Sequence, residues 1–508
     1  MSRLQSVPYK WLVAAVFVTG LFMDLLDTTI VNVALPTLGT IFNAQPTTLE
    51  WIVTGYLLSL AVWIPASGWL GDRFGTKRIF LFALAMFTAG SALCGTATSI
   101  RMLILFRVLQ GIGGGMLTPV GTTMLFRAFP PNERAKASAV LVIPIAVAPA
   151  IGPIIGGLLI DRLSWRWIFY VNVPFGIAAL FFAAFVLKEH VEEKAGRFDV
   201  PGFLLSASGL PLLLYALAEA PSRGWTSAVV LLTGFAGVAL LVLLVIVELR
   251  VAEPMLALRL FGDRMFRNAT IVNFASSSAF FGLLFLLPLF LQRSDMHNLS
   301  ATQSGLTTFP QALGLVIMSR VASGLYPKVG PRRMMMVGTL GATVATFLFV
   351  FVGVHTDLWW IRGIMLIRGM SFAFALIPLQ AATFSNISRS DSGRASSLFN
   401  TNRQVASSLG VAVLATVRTD RALSHVNNAV ANLGSSAGDA TTRAGAVQSA
   451  TLNAFHDGFA TAASLSLIAL VASFLIRDED AAASMAVVTD KKSAVEAGSA
   501  DPVPAGAH

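Results

Sequence analysis

Charge is scarce in this 508-residue chain: Asp, Glu, Lys and Arg make up 12% of it, about half the share of a soluble globular protein. Hydrophobic residues make up 55%, and mean hydropathy is +0.72. So little polar surface cannot cover a water-soluble particle of this length. Cysteine is nearly absent too. Cys94 stands alone, which excludes an intramolecular disulfide, and its apolar surroundings read as packing. The six histidines (His190, His297, His355, His425, His456 and His508) are scattered without metal-ligand spacing. No nucleophile–base pair stands out, and no loop is long enough for a soluble catalytic domain. The longest polar stretch, 418–456, and the tail after Arg477 are rich in small residues and read as mobile segments. An enzyme, a metal centre and an organic cofactor are therefore not expected.

What is present is a series of apolar runs from residue 11 to residue 476, each near the roughly 20 residues that cross a bilayer. The first follows a short basic leader. It is too long for a signal peptide, contains two Asp and has no small-residue cleavage site after it, so it reads as a retained span. Fourteen spans are expected, at 11–35, 49–70, 78–97, 101–125, 136–160, 167–187, 198–218, 225–248, 268–291, 303–326, 333–354, 358–384, 395–417 and 457–476. With a cytoplasmic N-terminus, segments assigned inside hold 23 of the 36 Lys and Arg, among them Arg3, Lys194, Lys491 and Lys492, and segments assigned outside hold 8. That bias places both termini in the cytoplasm. It also accounts for the net charge of +10 without nucleic acid.

The chain repeats itself. "GDRFGTKR" (71–78) is echoed by "YPKVGPRR" (326–333), "QGIGGGM" (110–116) by "RGMSFAF" (368–374), and "KASA" (136–139) by "RASS" (394–397). The offsets are nearly constant, which points to two related six-helix halves, 1–190 and 261–476. Two inserted helices lie between them in 191–260, and 477–508 forms a mobile cytoplasmic tail. Paired halves of this kind place a substrate path near the midplane at their interface.

Several motifs have physical content of their own. In "GWLGDRFGTKR" (68–78), Gly75 supplies a tight turn, and Arg73, Lys77 and Arg78 hold the loop inside. Asp72 is placed to meet a helix N-terminus, where an anion is favoured. Gly68 and Gly71 belong to the same loop motif, which is either a gate or a topology-holding loop. In "APAIGPIIGG" (148–157), Gly152 and Gly156 form a GxxxG pair for close helix approach. Pro149 and Pro153 loosen the same helix, and Gly157 ends the motif. "QGIGGG" lacks the strand and lysine of a phosphate loop.

"GWLGDRFGTKR", "RVLQGIGGG" (107–115) and "APAIGPIIGG" stand in the order of the major facilitator superfamily, and the chain resembles that superfamily over almost its whole length. "LDTTIVNVALP" (26–36), "WRWIFYVNVPFG" (165–176) and the span count narrow the resemblance to its drug:proton antiporters with fourteen spans. The resemblance implies a proton-coupled exporter in the plasma membrane (the inner membrane of a bacterium). Its partners would be protons, an amphipathic small molecule and the bilayer. It is expected to act as a monomer, with cooperation with an envelope partner left open.

Asp24 and Asp27 lie three positions apart in an apolar run, about 60° from each other on one helix face. Facing lipid they would be very unfavourable, so they should face the bundle interior. Arg107, about two turns into the fourth span, normally needs a partner or a water cavity at that depth. A switch between Asp27 (or Asp24) and Arg107 is expected, the family motif favouring Asp27; a fixed structural ion pair is the plain alternative. Shifted by 258, neither the acids nor Arg107 has a counterpart in the second half, which carries Arg320, Arg362, Arg368 and Arg403 instead. This puts dicationic substrates in doubt. Asn32, Asn273, Asn400, Arg403 and Gln404 are candidate cavity-lining groups. A transporter of one metabolite, siderophore or sugar, and a non-transporting sensor, are the competing readings.

Overall fold

The structure is a computed structural model that describes residues 7–192, 196–432 and 440–485. Among the basic residues named above, Arg3, Lys194, Lys491 and Lys492 lie outside these ranges. The described residues contain no strand and fourteen helices of at least 15 residues. In chain order they are α1 (Tyr9–Phe42), α2 (Pro46–Phe74), α3 (Thr76–Thr96), α4 (Ile100–Ala128), α5 (Arg134–Arg162), α6 (Asn172–Val186), α7 (Val200–Arg223) and α8 (Ala228–Glu248). They continue as α9 (Arg264–Gln292), α10 (Ala301–Val329), α11 (Pro331–Phe347), α12 (Leu358–Thr383), α13 (Ser392–Asn432) and α14 (Ala440–Ser473).

Local chemistry sets several ends. Gly75, at φ +100°, breaks α2 from α3, and Gly330, at φ +85°, breaks α10 from α11. Few L-residues adopt either conformation. Ser300 and Gln303 form a capping box on α10. Asp199, Asp263 and Asp357 accept from first-turn amides of α7, α9 and α12. At 34 residues α1 is about 51 Å long, ample for a hydrocarbon core of about 30 Å with tilt.

Twelve helices are long and apolar enough to cross a membrane. The other two, α10 and α13, have the length but are more polar. The reason lies in their packing: α10 lies along α5 and α13 along α2. These two helices form the seam between halves, so they carry Gln303, Gln311 and Arg320, and Asn400, Asn402, Arg403 and Gln404.

The neighbour pattern repeats along the chain. In the first half α1 packs on α5, α2 on α4 and α3 on α6; in the second α9 packs on α13, α10 on α12 and α11 on α14. α7 packs against α8, α2 and α13. α8 has only 17% of its apolar window buried and shows Leu231, Leu232 and Phe235 outward, as a lipid-facing helix would.

Two segments expected to be mobile are built into the fold. Residues 418–432 and 440–456 continue α13 and α14 as a paired helical extension, because their alanine-rich sequence favours helix. His425 meets Asp457 there at 2.9 Å, and Gln448 donates to the Asp295 carbonyl at 2.6 Å. After Arg477, Asp478 accepts from the Arg332 amide at 2.8 Å, and Ser484 pairs with Tyr326 at 2.6 Å, burying Ala481 and Ser484. The rest of that tail, 486–508, lies outside the described residues.

Candidate functional site

The two aspartates of α1 occupy different environments. Asp27 is fully buried. Its Oδ2 accepts from Arg107 Nη1 at 2.5 Å, and its Oδ1 accepts from Gln110 Nε2 and Asn172 Nδ2, each at 3.0 Å. Arg107, also fully buried, donates through Nε to the Ile52 carbonyl at 3.2 Å and through Nη1 to Gln110 Oε1 at 2.8 Å. Its guanidinium lies 4.1 Å from the Tyr56 ring centroid. Ser91 ties Asn172 (3.2 Å) to the Phe169 carbonyl (2.9 Å). A buried ion pair is tolerated only where further hydrogen bonds satisfy both groups. α1, α2, α4 and α6 together meet that condition. Cys94 is packed here, its thiol 3.7 Å from Gln110 Oε1.

Asp24 is 9% exposed and accepts from the Tyr56 hydroxyl at 2.5 Å. No cation among the described residues forms an ion pair with it. Asp24, Thr28 and Asn32 follow one another at i, i+4 spacing, and exposure rises along them from buried through intermediate to exposed. The stripe grows more exposed with distance from the basic loops.

At the basic end the halves are latched. Asp72 pairs with Arg127 at 2.8 Å, and Arg127 also donates to the Arg389 carbonyl (2.9 Å) and to Ser392 Oγ (2.7 Å). The Asp72 carboxylate lies against Gly393 in the first turn of α13, where an added Cβ would come within 2.8 Å of it. Ser67 meets Ser397 at 3.1 Å, the Gly68 amide donates to Ser397 Oγ at 2.9 Å, and Ser396 donates to the Pro119 carbonyl at 2.7 Å. Arg134 reaches the Phe384 carbonyl, and Phe384 stacks on Phe126 at 4.6 Å. Among the described residues, every hydrogen bond found between residues 7–192 and 264–485 lies at this end. At the other end α5 and α10 keep van der Waals contact, Gly305 beside Ala150 and Pro153.

The remaining loop residues hold the turn. Lys77 and Arg78 give their amides to Glu189 at 3.1 and 3.2 Å, and Lys77 Nζ reaches the Ala184 carbonyl at 2.6 Å. Arg73 is exposed, and Gly71 packs near Thr76 and Val120. In the α5 motif, Cβ atoms on Gly152 and Gly156 would meet Thr29 at 2.2 Å and Ile30 at 2.9 Å, so both glycines admit α1 closely. Gly157 faces open space, and the helix is unbroken through Pro149 and Pro153.

The candidate cavity residues separate. Asn32 lies on the open stripe, its Nδ2 on the Thr28 carbonyl at 3.2 Å. Asn273 is buried and bonds Asn402 (3.1 Å), and Asn400 is buried and bonds the Ser396 carbonyl one turn earlier on its own helix (2.9 Å). Gln404 lines a side cleft with Ala61, Ile64, Leu210, Leu214 and Val405, between α2, α7 and α13. Arg403 is half-buried on α13. The sequence reading missed Tyr56, Gln110, Asn172, Arg127 and Ser397. Gln110 and Asn172 lie inside motifs quoted above, which was the available signal.

The comparisons with known proteins agree with this architecture. The Multidrug resistance protein B homolog of Mycobacterium tuberculosis (strain ATCC 25618 / H37Rv) is 36% identical over 410 residues, 80% of this chain and 76% of that protein. The uncharacterized MFS-type transporter YhcA of Bacillus subtilis (strain 168) is 34% identical over 410 residues, 81% of this chain and 77% of that one. The crystal structure of the human organic anion transporter MFSD10 (TETRAN) shares the fold, with a TM-score of 0.63 at 17% identity, covering 92% of this chain and 100% of that one. The profile described as Major Facilitator Superfamily matches residues 17–411, and the chain belongs to that superfamily of multi-pass plasma-membrane transporters.

Proposed function

We propose that the protein exports amphipathic small molecules in exchange for protons by alternating access, with Asp27 and Arg107 as the coupling switch. The observation that carries this reading is the Asp27 carboxylate: fully buried, paired with Arg107 and accepting from two neutral donors within the membrane. Protonating Asp27 removes the charge that holds Arg107, so the pair has two discrete arrangements for a proton to select. Asp24 is the route in. It heads the stripe that grows more exposed away from the basic loops, and Tyr56 connects it to Arg107. The latched basic end and the exposure that grows away from it fit an outward-open state, with the basic end cytoplasmic.

Each returning proton supplies roughly 1.36 kcal/mol per pH unit and about 2.3 kcal/mol per 100 mV. No metal or organic cofactor is needed, and a monomer is sufficient. Both termini lie in the cytoplasm in this reading, and α7 and α8 are an insertion between the halves. The relatives named for multidrug resistance favour a broad substrate range over a single metabolite. The test is uptake of lipophilic dyes into energised inside-out vesicles. Uptake that stops on adding a protonophore supports the reading, and uptake indifferent to the gradient contradicts it.

A further inference from the structure

The second half brings cations into the membrane without acids to balance them. Helices α9 to α12, and α13 as far as Thr419, contain no Asp or Glu. Arg368 on α12 is buried and held only by neutral acceptors: Gln311 Oε1, Thr346 Oγ1 at 3.3 Å and the Phe280 carbonyl at 3.5 Å. Arg403 on α13 is half-buried, and among the described residues no carboxylate lies at ion-pair distance and no hydrogen-bond acceptor is found for it.

The helix register places Arg403 on the side of α13 that meets the first half. Ser396 is bonded to the Pro119 carbonyl, where α13 still touches α4 at the latch. Arg403 lies seven residues further on, two turns along the same face, beyond the hydrogen bonds that join the halves. In the first half, Asp24 accepts from the Tyr56 hydroxyl and forms no ion pair among the described residues. One half therefore offers a guanidinium with no acceptor found among the described residues, and the other offers a carboxylate whose donor is neutral. A guanidinium presents a planar fork of donors that matches a carboxylate in bidentate geometry, and a site partly shielded from water strengthens that match.

We propose that Arg403 sets substrate charge preference by holding the carboxylate of an amphipathic substrate between the halves. The inference rests on the transporter reading above and names its substrate class: amphipaths bearing a carboxylate, either anionic or zwitterionic. In a zwitterion the amine would face Asp24 while the carboxylate meets Arg403. Lipophilic cations without a carboxylate would meet a repelling wall.

The experiment is titration of the purified full-length protein in detergent with naphthylacetate, its methyl ester and the matching naphthylethylamine. Binding is read without a proton gradient, so it stands or falls independently of antiport. A loss of coupling in vesicles would contradict the exporter reading and leave this ratio intact. Wild type should bind the acid about tenfold or more tighter than the ester, the size of one charge-assisted hydrogen bond. Arg403→Gln should bring that ratio close to one. Arg403→Lys, which keeps the charge but not the fork, should give an intermediate ratio and serves if the glutamine variant does not fold. A wild-type ratio near one, a tighter grip on the amine than on the acid, or an unchanged ratio in the variants would overturn the proposal. Adding a second carboxylate-free amine to the same skeleton should weaken binding further; tighter binding would also overturn it.

Discussion

Tyr56 touches both charges of the first half at once: its hydroxyl donates to Asp24 over 2.5 Å, and its ring centroid lies 4.1 Å from the Arg107 guanidinium. Arg107 in turn holds Asp27. A proton arriving at Asp24 therefore changes a group that shares a side chain with the Asp27 counter-ion. Tyr56→Phe keeps the ring beneath Arg107 and removes the hydroxyl. We expect it to cost about 1–3 kcal/mol of stability for the unsatisfied buried carboxylate and to shift the pH profile of transport. Tyr56→Leu should also lose the support of Arg107. Melting temperature and transport rate against pH separate the two effects, and identical profiles for Tyr56→Phe and wild type would contradict the linkage.

The Asp27–Arg107 pair gives a second expectation. Removing one member of a buried pair leaves the other charge uncompensated, at a cost of about 3–5 kcal/mol. Arg107→Gln alone should be strongly destabilised. The double variant Asp27→Asn with Arg107→Gln should recover much of the stability but none of the coupled transport. Thermal melting in detergent reads the first, and dye uptake reads the second. Recovery of transport in the double variant would mean the pair is only structural.

The latch at the basic end is directly testable. Ser67 and Ser397 lie with hydroxyl oxygens 3.1 Å apart. In a Cys94→Ser background, Ser67→Cys with Ser397→Cys should form a disulfide under mild oxidation and stop transport until it is reduced. Asp72→Asn, which weakens the hold of Arg127, should slow cross-linking severalfold. Cross-linking that leaves transport running would mean this end does not open in the cycle.

Close helix approach predicts intolerance to a single methyl group. A Cβ on Gly113 would lie 2.4 Å from the Ala83 carbonyl oxygen, and one on Gly410 would lie 2.1 Å from the Ser278 carbonyl oxygen. The obstacle in each case is backbone, which cannot rotate away. Gly113→Ala and Gly410→Ala should each destabilise by about 1–3 kcal/mol, whereas Gly157→Ala, facing open space, should be near neutral. Melting curves of the three variants check this.

The charged core of the site was legible because charge in an apolar run is costly wherever it occurs. That cost alone singled out Asp24, Asp27 and Arg107, and the structure brings the last two together across 80 residues of chain. Tyr56, Gln110 and Asn172 carry no such mark. A neutral polar side chain in a membrane helix is as common in packing as in function, so Asn273 and Asn400 were only candidates for the cavity; Asn273 bonds Asn402 of a neighbouring helix, and Asn400 bonds the preceding turn of its own. Residues 418–432 and 440–456 were misread for a related reason: small polar residues suggest a loop by composition, but alanine-rich sequence continues a helix when a paired neighbour is present. Glycine punctuation was read correctly at Gly75, and its echo at Gly330 shares the positive φ. That Asp72 meets Arg127 required knowing which helices are neighbours, and sequence spacing does not contain that.

The most direct test of the account is proton release from energised inside-out vesicles, followed with a fluorescent pH probe while a transported amphipath is added to wild type and to Asp27→Asn. Asparagine keeps the size of the side chain and an oxygen for Arg107, but it cannot take up a proton. The account predicts substrate-dependent proton release by wild type and none by the variant, each normalised to the amount of folded protein in the vesicles. Equal release by both would contradict it and move the coupling away from Asp27.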